Sequence, residues 1–392
     1  MSKEQIIQRD SILERITPFI GKDVIKVITG QRRVGKSYVL KQIAEQISMP
    51  SIMIDKELYD FDFIRNYHDL VQYVEEKANN KKCALFIDEI QDIEQFEKAL
   101  RHFQNKGQFD IYCTGSNANL LSGELATYLS GRYVQFEVHS LSFNEFKTFH
   151  GVEEFDQYLT YGGMPYLKHL ELNEEVAFGY LDSVYQSIIL KDVVERYSLR
   201  NVKFLENLVI YLCNNIGSIT SASNISKFLK SQKVNINITT VINYLEALRN
   251  CFFIYEVPRY DIQGKRVFEI NHKYYMEDLG IRNAIVGYNQ ARDDAKMLEN
   301  IVFMQLLRKR YKVYVGVIGD KEIDFVAEKN NEKVYVQVAL NVDSEETMQR
   351  EFSNLQLISD NYPKYVVTRQ ANSKNTIDGI SHVSIEEFLG KI

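Results

Sequence analysis

Over the first 150 or so residues, short apolar runs alternate with stretches whose apolar positions recur at helical spacing. The runs 24–29, 51–54, 84–88, 109–114 and 133–138 are too short for helices, and β-branched and aromatic residues recur in them. Residues 38–44, between two of them, have the spacing of an amphipathic helix. Such alternation predicts an α/β fold, with strands in a doubly wound parallel sheet. From 151 to 200 the pattern becomes helical, broken at Gly162-Gly163-Met164-Pro165.

Three short amphipathic helices are expected next, marked by Leu205, Leu208, Val209 and Leu212, then Ile225, Phe228 and Leu229, then Val241, Tyr244, Leu245 and Leu248. Strands 252–257 and 266–270 flank the turn-rich segment 261–265, so residues 201–270 read as a winged helix-turn-helix whose wing is that hairpin. Residues 271–392 carry a helix over 297–310, strands over 321–326 and 333–339, and a closing helix after the capping-box spacing Ser384-Ile385-Glu386-Glu387. Four segments are therefore predicted, at 1–150, 151–200, 201–270 and 271–392.

The first strand runs directly into Gly30-Gln31-Arg32-Arg33-Val34-Gly35-Lys36-Ser37, the phosphate-binding pattern G-x-x-x-x-G-K-[ST], and Tyr38 continues into the helix. Two glycines let the backbone turn its amides inward, and the helix start adds the positive end of its dipole. The Lys36 ammonium is suited to the outer phosphates of a nucleoside triphosphate and the Ser37 hydroxyl to a magnesium ion. The third strand ends in Asp88-Glu89. A strand-end pair of acids suits phosphoryl transfer, Asp88 holding hydrated magnesium and Glu89 orienting and deprotonating the attacking water. The competing reading makes both acids caps of the next helix, with Gln91 and Asp92 at the surface. The fourth strand exits through Gly115-Ser116-Asn117, and Leu129-Ser130-Gly131-Arg132 precedes the fifth. Read locally, Asn117 suits a turn, a helix cap or a contact with the attacking water, and Arg132 suits a surface position or a phosphate contact.

A chain of 392 residues, 45% hydrophobic and 26% charged, has material for two or three globular cores. The net charge of −6 assigns any nucleic-acid binding to a local patch. Lys227, Lys230, Lys233, Arg249, Arg259, Lys265 and Arg266 supply such a bias within 201–270. Cys83, Cys113, Cys213 and Cys251 lack paired C-x-x-C spacing, which argues against a zinc site or disulfide framework. No apolar run suits a signal peptide or membrane span, so a cytoplasmic location is expected.

Together the phosphate loop, Phe86-Ile87-Asp88-Glu89, Thr114-Gly115-Ser116-Asn117 and Gly131-Arg132 resemble the AAA-type ATPases of archaea and bacteria, the wider signal-transduction branch included. Residues 141–146, 161–165 and 180–192 follow the same pattern, so the resemblance covers nearly the whole chain. It implies ATP as the nucleotide, hydrolysis with Mg2+, a helical lid at 151–200, Asn117 as a sensor, and Arg132 contacting a phosphate of its own or a neighbouring subunit. For the helix-turn-helix, the basic bias suits DNA, and a protein partner stays open because such folds serve both roles.

The last segment resembles the restriction-endonuclease-like fold, in which a helix Glu, a strand Asp and an acid-x-Lys pair gather a divalent metal and a water. Glu299 and Asp324 match, whereas Gln337 and Ala339 stand where the second acid and the lysine belong. An inactive nuclease scaffold is expected, since Gln337 adds no charge and Ala339 cannot polarise water. Three functions are consistent with these residues: an ATPase moving its C-terminal domains, a nucleotide-gated binding switch with little turnover, and a metal-dependent nuclease.

Overall fold

The computed structural model describes residues 8–121, 129, 131–151, 153–231, 236–371 and 376–392. Ser130 and Lys233, singled out above, lie outside that set. The chain divides into one compact unit of Met1–Ser140 with Asn250–Phe252 and a second of Leu141–Arg249 with Phe253–Ile392. The boundary falls at Ser140–Leu141 rather than near 150, and the three segments expected after it cluster together. A physical reason is visible in the second unit. Leu141 N–H donates to Gly163 O (2.7 Å) and the Tyr158 hydroxyl donates to Leu141 O (2.9 Å), which joins the chain from 141 onward to the helices that follow.

In the first unit β1 (Ile25–Thr29), β2 (Ser51–Asp55), β3 (Cys83–Asp88), β4 (Phe109–Gly115) and β5 (Tyr133–Glu137) form close to where the pattern predicts them. They make a parallel sheet in the order β2-β3-β4-β1-β5. Helices α1 (Asp10–Ile16), α2 (Lys36–Gln46), α3 (Tyr67–Ala78) and α4 (Phe96–Lys106) accompany it. β1, β3 and β4 are buried along their whole length, as parallel strands covered on both faces require. That burial includes Lys26 in β1, whose ammonium ion-pairs with Asp110 of β4 and donates to Lys22 O (3.1 Å) and Val24 O (2.8 Å). Asp110 also accepts from the Tyr112 hydroxyl (2.8 Å) and Gly21 N–H (2.9 Å), so the buried charge is hydrogen-bonded on both sides.

The second unit opens with α5 (Phe143–His150), α6 (Phe155–Tyr161) and α7 (Glu174–Ser187), the last continuing as a π-helical turn over Ile188–Glu195. Gly162 ends α6 at φ 71°, and a side chain there would stand 2.4 Å from Gly280 N and 2.5 Å from the Asp278 carboxylate. The glycine pair thus permits backbone contact with α11 (Leu279–Val286) once α8 (Val202–Asn214), α9 (Ala222–Ser231) and α10 (Ile238–Asn250) have been traversed. Asn283, buried in α11, donates from Nδ2 to Leu159 O (2.8 Å) and Thr160 O (2.9 Å), the last carbonyls of α6. Asn283→Ala strands both acceptors and is expected to lower the second unit's unfolding free energy by about 1–3 kcal/mol. A urea titration followed by tyrosine fluorescence checks it, and an unchanged midpoint contradicts it.

The expected wing pairing does not form. β6 (Ile254–Val257) pairs antiparallel with β9 (Lys273–Met276), while β7 (Arg259–Asp261) and β8 (Arg266–Val267) make a separate small hairpin. Ile254 and Val257 are buried and need a buried partner, which β9 offers along its length. Val267 and Ile270 are 47% and 68% exposed. Pro258 lacks an N–H, and the chain passes there from β6 into β7.

β7 also pairs with β10 (Lys312–Ile318), joining an eight-stranded mixed sheet in the order β14-β15-β13-β12-β11-β10-β7-β8. Its other members are β11 (Lys321–Lys329), β12 (Glu332–Val338), β13 (Lys364–Thr368), β14 (Thr376–Ile377) and β15 (Ile380–Ser384). The long helix α12 (Gln290–Arg308) begins earlier than its apolar spacing indicated, because Asn289 caps it by accepting from Arg292 N–H. Helices α13 (Glu345–Gln356) and α14 (Ile385–Lys391) complete the unit.

Candidate nucleotide site

Gly30 to Ser37 connect β1 to the start of α2, and Gly35, at φ 99°, is the residue before the helix. The loop is packed from below. Val34 is fully buried, and Arg9 donates from its guanidinium to Val34 O (3.1 Å) and His139 O (3.0 Å). Arg9 escaped the sequence reading because only the fold brings it to the loop. Gln31 and Arg32 are buried, Arg32 pairing with Glu57 at 2.9 Å, whereas Arg33 is exposed at φ 70° and Tyr38 is 48% exposed.

Lys36 is only 4% exposed. Its ammonium donates to Gln31 O (3.1 Å) and lies 3.3 Å from Glu89 Oε1. The structure therefore brings the loop lysine and the strand-end acid together. Glu89 sits at φ 51°, a left-handed conformation uncommon for a side-chain-bearing residue. Its backbone N–H donates to Thr114 Oγ1 (2.9 Å), and that hydroxyl donates onward to Asp88. Thr114, at the end of β4, thus fixes both acids. Gln91, which the competing helix-cap reading places at the surface, donates from its amide to Glu89 Oε2. Both oxygens of the Glu89 carboxylate are engaged, one by Lys36 and one by Gln91.

The electrostatics separate the two acids. Burial raises the Asp88 carboxyl above the ordinary range, with the Ser37 and Thr114 hydroxyls opposing that rise through hydrogen bonds. Burial acts on Glu89 in the same direction, but the Lys36 charge, the Gln91 amide and Arg32 outweigh it and hold Glu89 down at about 2. Buried Asp88 and Thr114 and the half-buried Ser37 form an oxygen set against which a hard divalent cation would fit, supplying the positive charge that offsets the burial of Asp88.

Asn117 is 6% exposed and follows β4, on the sheet edge that carries the loop, Asp88 and Glu89. Arg132 lies elsewhere. Tyr133, the first residue of β5, is in register with Ile25, the first of β1, and Arg132 O accepts from Ile25 N–H (2.9 Å). The loop leaves β1 at its other end, about 13 Å away along the strand at the usual rise per residue. Arg132, exposed and donating to Asn105 (3.3 Å), is therefore not positioned for a phosphate in its own chain's loop.

In the second unit Glu299 on α12 and Asp324 on β11 do converge, but around a residue not singled out in the sequence, Lys273 on β9. Gln337 accepts from Asp324 N–H (3.3 Å) and donates to Glu351 (3.0 Å), while Ala339 is buried in the apolar core. Among the described residues no helix is long and apolar enough to cross a membrane.

Residues 22–147 match an AAA domain, and 152–292 match a domain of unknown function (DUF8612). An uncharacterized protein of Haemophilus influenzae is 36% identical, over 99% of this chain and 100% of its own length. An uncharacterized protein of Methanocaldococcus jannaschii is 27% identical, over 97% of this chain and 89% of its own. A Walker-type ATPase of Pyrococcus abyssi aligns in structure at a TM-score of 0.48 and 16% identity, covering 71% of this chain and 95% of that one.

Proposed function

We propose, from the premise that this chain belongs to the family of AAA-domain proteins that includes the Haemophilus influenzae relative, that it binds and hydrolyses Mg-ATP. The observation that carries this reading is the meeting of Lys36, Asp88 and Glu89 beside one loop, with Thr114 fixing the two acids. The loop amides of residues 30–37 cradle the phosphates, and Lys36 leaves Glu89 for the outer phosphate oxygens. Ser37 and Asp88 would hold a magnesium ion, which would supply positive charge to the phosphates. Glu89, still held through Oε2 by Gln91, then has Oε1 free to take a proton from water. The water oxygen bonds to the terminal phosphorus as the bond to the bridging oxygen breaks. Asn117 acts on the same edge as the sensor of water or terminal phosphate. Arg132, remote from its own loop, serves the phosphate of a neighbouring subunit.

The second unit is the output. Helix α8, the Thr220–His272 bridge, α9, α10, β6 and β9 follow the element order of a winged helix-turn-helix, with the β7–β8 hairpin inside the long connection. A protein partner is favoured over DNA. The exposed face of α10 presents Ile238, Thr239, Ile242, Asn243 and Glu246, and Arg249 is ion-paired to Glu256. Arg266 faces Asp261 at 3.4 Å and Arg259 stacks on Phe268, which leaves Lys227, Lys230 and Lys265 as a thin cationic set among the described residues of that group. Protein capture with a Glu89→Gln chain loaded with ATP supports that preference, and nucleotide-dependent retention of duplex DNA reverses it.

Lys36→Met tests the nucleotide reading. The affinity for a fluorescent ATP analogue is expected to fall by about 10- to 150-fold, the worth of a lost charge-assisted contact, with phosphate release at background. Unchanged affinity and turnover would refute it. Measurable binding with negligible turnover in the wild type would instead favour a nucleotide-gated switch, a reading helped by the engagement of both Glu89 oxygens.

A further inference from the structure

The nuclease-like centre in the second unit contains its own cation. The Lys273 ammonium lies 2.8 Å from Glu299 Oε1, 2.9 Å from Glu322 Oε1 and 3.3 Å from Asp324 Oδ1, and its side chain is 4% exposed. The ammonium donates hydrogen bonds to Glu299 and Asp324 and ion-pairs with Glu322, so three carboxylates surround one cation. The surrounding oxygens are committed in turn. Glu299 Oε1 also accepts from the Tyr275 hydroxyl (2.6 Å), Asp324 Oδ2 accepts from Val338 N–H (2.9 Å), and Gln337 Oε1 accepts from Asp324 N–H (3.3 Å). Gly217 lies against Glu299 Oε2, where an added side chain would come within 2.7 Å of that oxygen.

We infer that Lys273 takes the place of the divalent metal: this centre is a metal-free ionic knot that ties β9 to β11 and α12, and it excludes magnesium and manganese while the ammonium is present. Of the positions that would ligand a metal in such a fold, Glu299 and Asp324 face the lysine, Gln337 bonds Asp324 N–H and Glu351, and Ala339 lies in the apolar core. Contact distances of 2.8–3.3 Å suit an ammonium, whereas magnesium requires oxygens at roughly 2.1 Å in an octahedron. Among the described residues no three His, Cys, Asp or Glu side chains are arranged to hold a metal ion. Removing the ammonium leaves Glu299, Glu322 and Asp324 without a counter-ion, and a divalent cation is what would then restore balance. The inference stands independently of the ATPase reading, since it concerns other residues in another unit.

The test is a manganese titration of the full chain by electron paramagnetic resonance, nucleotide-free and carrying Asp88→Asn to weaken the first unit's own metal site. No saturable site tighter than about 1 mM that depends on Asp324 is expected. Adding Lys273→Met should create one manganese site per chain, lost again when Asp324→Asn is added. Two outcomes overturn the inference: the Asp88→Asn chain already binds a manganese ion that Asp324→Asn removes, or a folded Lys273→Met chain binds none. The first comparison contains no change at Lys273 and decides the matter even where Lys273→Met does not fold.

Discussion

Replacing Glu89 by Gln is expected to lower the rate of ATP hydrolysis by about 10²- to 10³-fold while nucleotide affinity stays level or rises a few-fold, since a positioned general base contributes on that order. The asymmetry follows from the geometry. Glu89 Oε1 lies 3.3 Å from the Lys36 ammonium, so an arriving triphosphate must compete with a buried carboxylate for the same cation. The amide of the variant is uncharged and competes less, yet it can accept no proton from water. Gln91 loses its charged acceptor but can still hydrogen-bond the new amide. Phosphate release together with binding of a fluorescent ATP analogue measures both quantities. A variant that hydrolyses as fast as wild type removes Glu89 as the base, and one that binds tenfold more weakly contradicts the competition.

The same pair sets an acid limit on the nucleotide-free chain. Burial pushes Glu89 up, but the Lys36 charge, the Gln91 amide and Arg32 together outweigh it and depress Glu89 to about 2 from an ordinary value of 4.5. The stabilisation from the ionised acid is therefore fully present above pH 4.5 and is lost as pH falls towards 2.

The first unit's strands were legible because a parallel strand covered on both faces leaves an uninterrupted apolar run, and β1, β3 and β4 are buried throughout. The loop was legible because its chemistry is contiguous. What the residues alone could not give was any contact created by register. Thr114 stands 26 positions from Asp88, and Arg9 130 positions from His139, so neither pairing has a local trace. A weak signal for Thr114 did exist, a polar residue ending a buried strand before Gly115. The placement of Arg132 was partly derivable too, since a residue preceding a parallel strand lies at the edge opposite a loop that follows its neighbour. The wing failed for a different reason. Two apolar runs around a turn look like a hairpin, but the exposure of Val267 and Ile270 leaves β6 to the buried β9. Lys273 was invisible because a lysine beside two tyrosines reads as a surface strand until Glu299, Glu322 and Asp324 surround it.

Gly30→Ala is expected to cost the first unit about 3–5 kcal/mol and to abolish ATP binding, combining backbone strain with overpacking that the surroundings cannot relieve. Gly30 has φ 148°, and a methyl built there would sit 2.1 Å from Val138 O. A collision with a flexible side chain would be absorbed by a rotamer change, but this one is with backbone held on both sides. Val138 N–H donates to Thr29 O (2.8 Å), and His139 O accepts from the buried Arg9 guanidinium (3.0 Å). Relief must therefore come from the loop, whose displacement moves the amides away from the phosphates and shifts Lys36 relative to Glu89. Gly107 provides the control. It also has a positive φ, 62°, but a methyl there meets nothing within 4 Å, so Gly107→Ala carries only the conformational cost, about 1 kcal/mol, and leaves ATP binding unchanged. Thermal unfolding and nucleotide affinity of the two variants side by side separate steric contact from backbone conformation. Equal behaviour of the pair would mean that Val138 yields, and that the loop is not braced against the segment following β5 as its hydrogen bonds require.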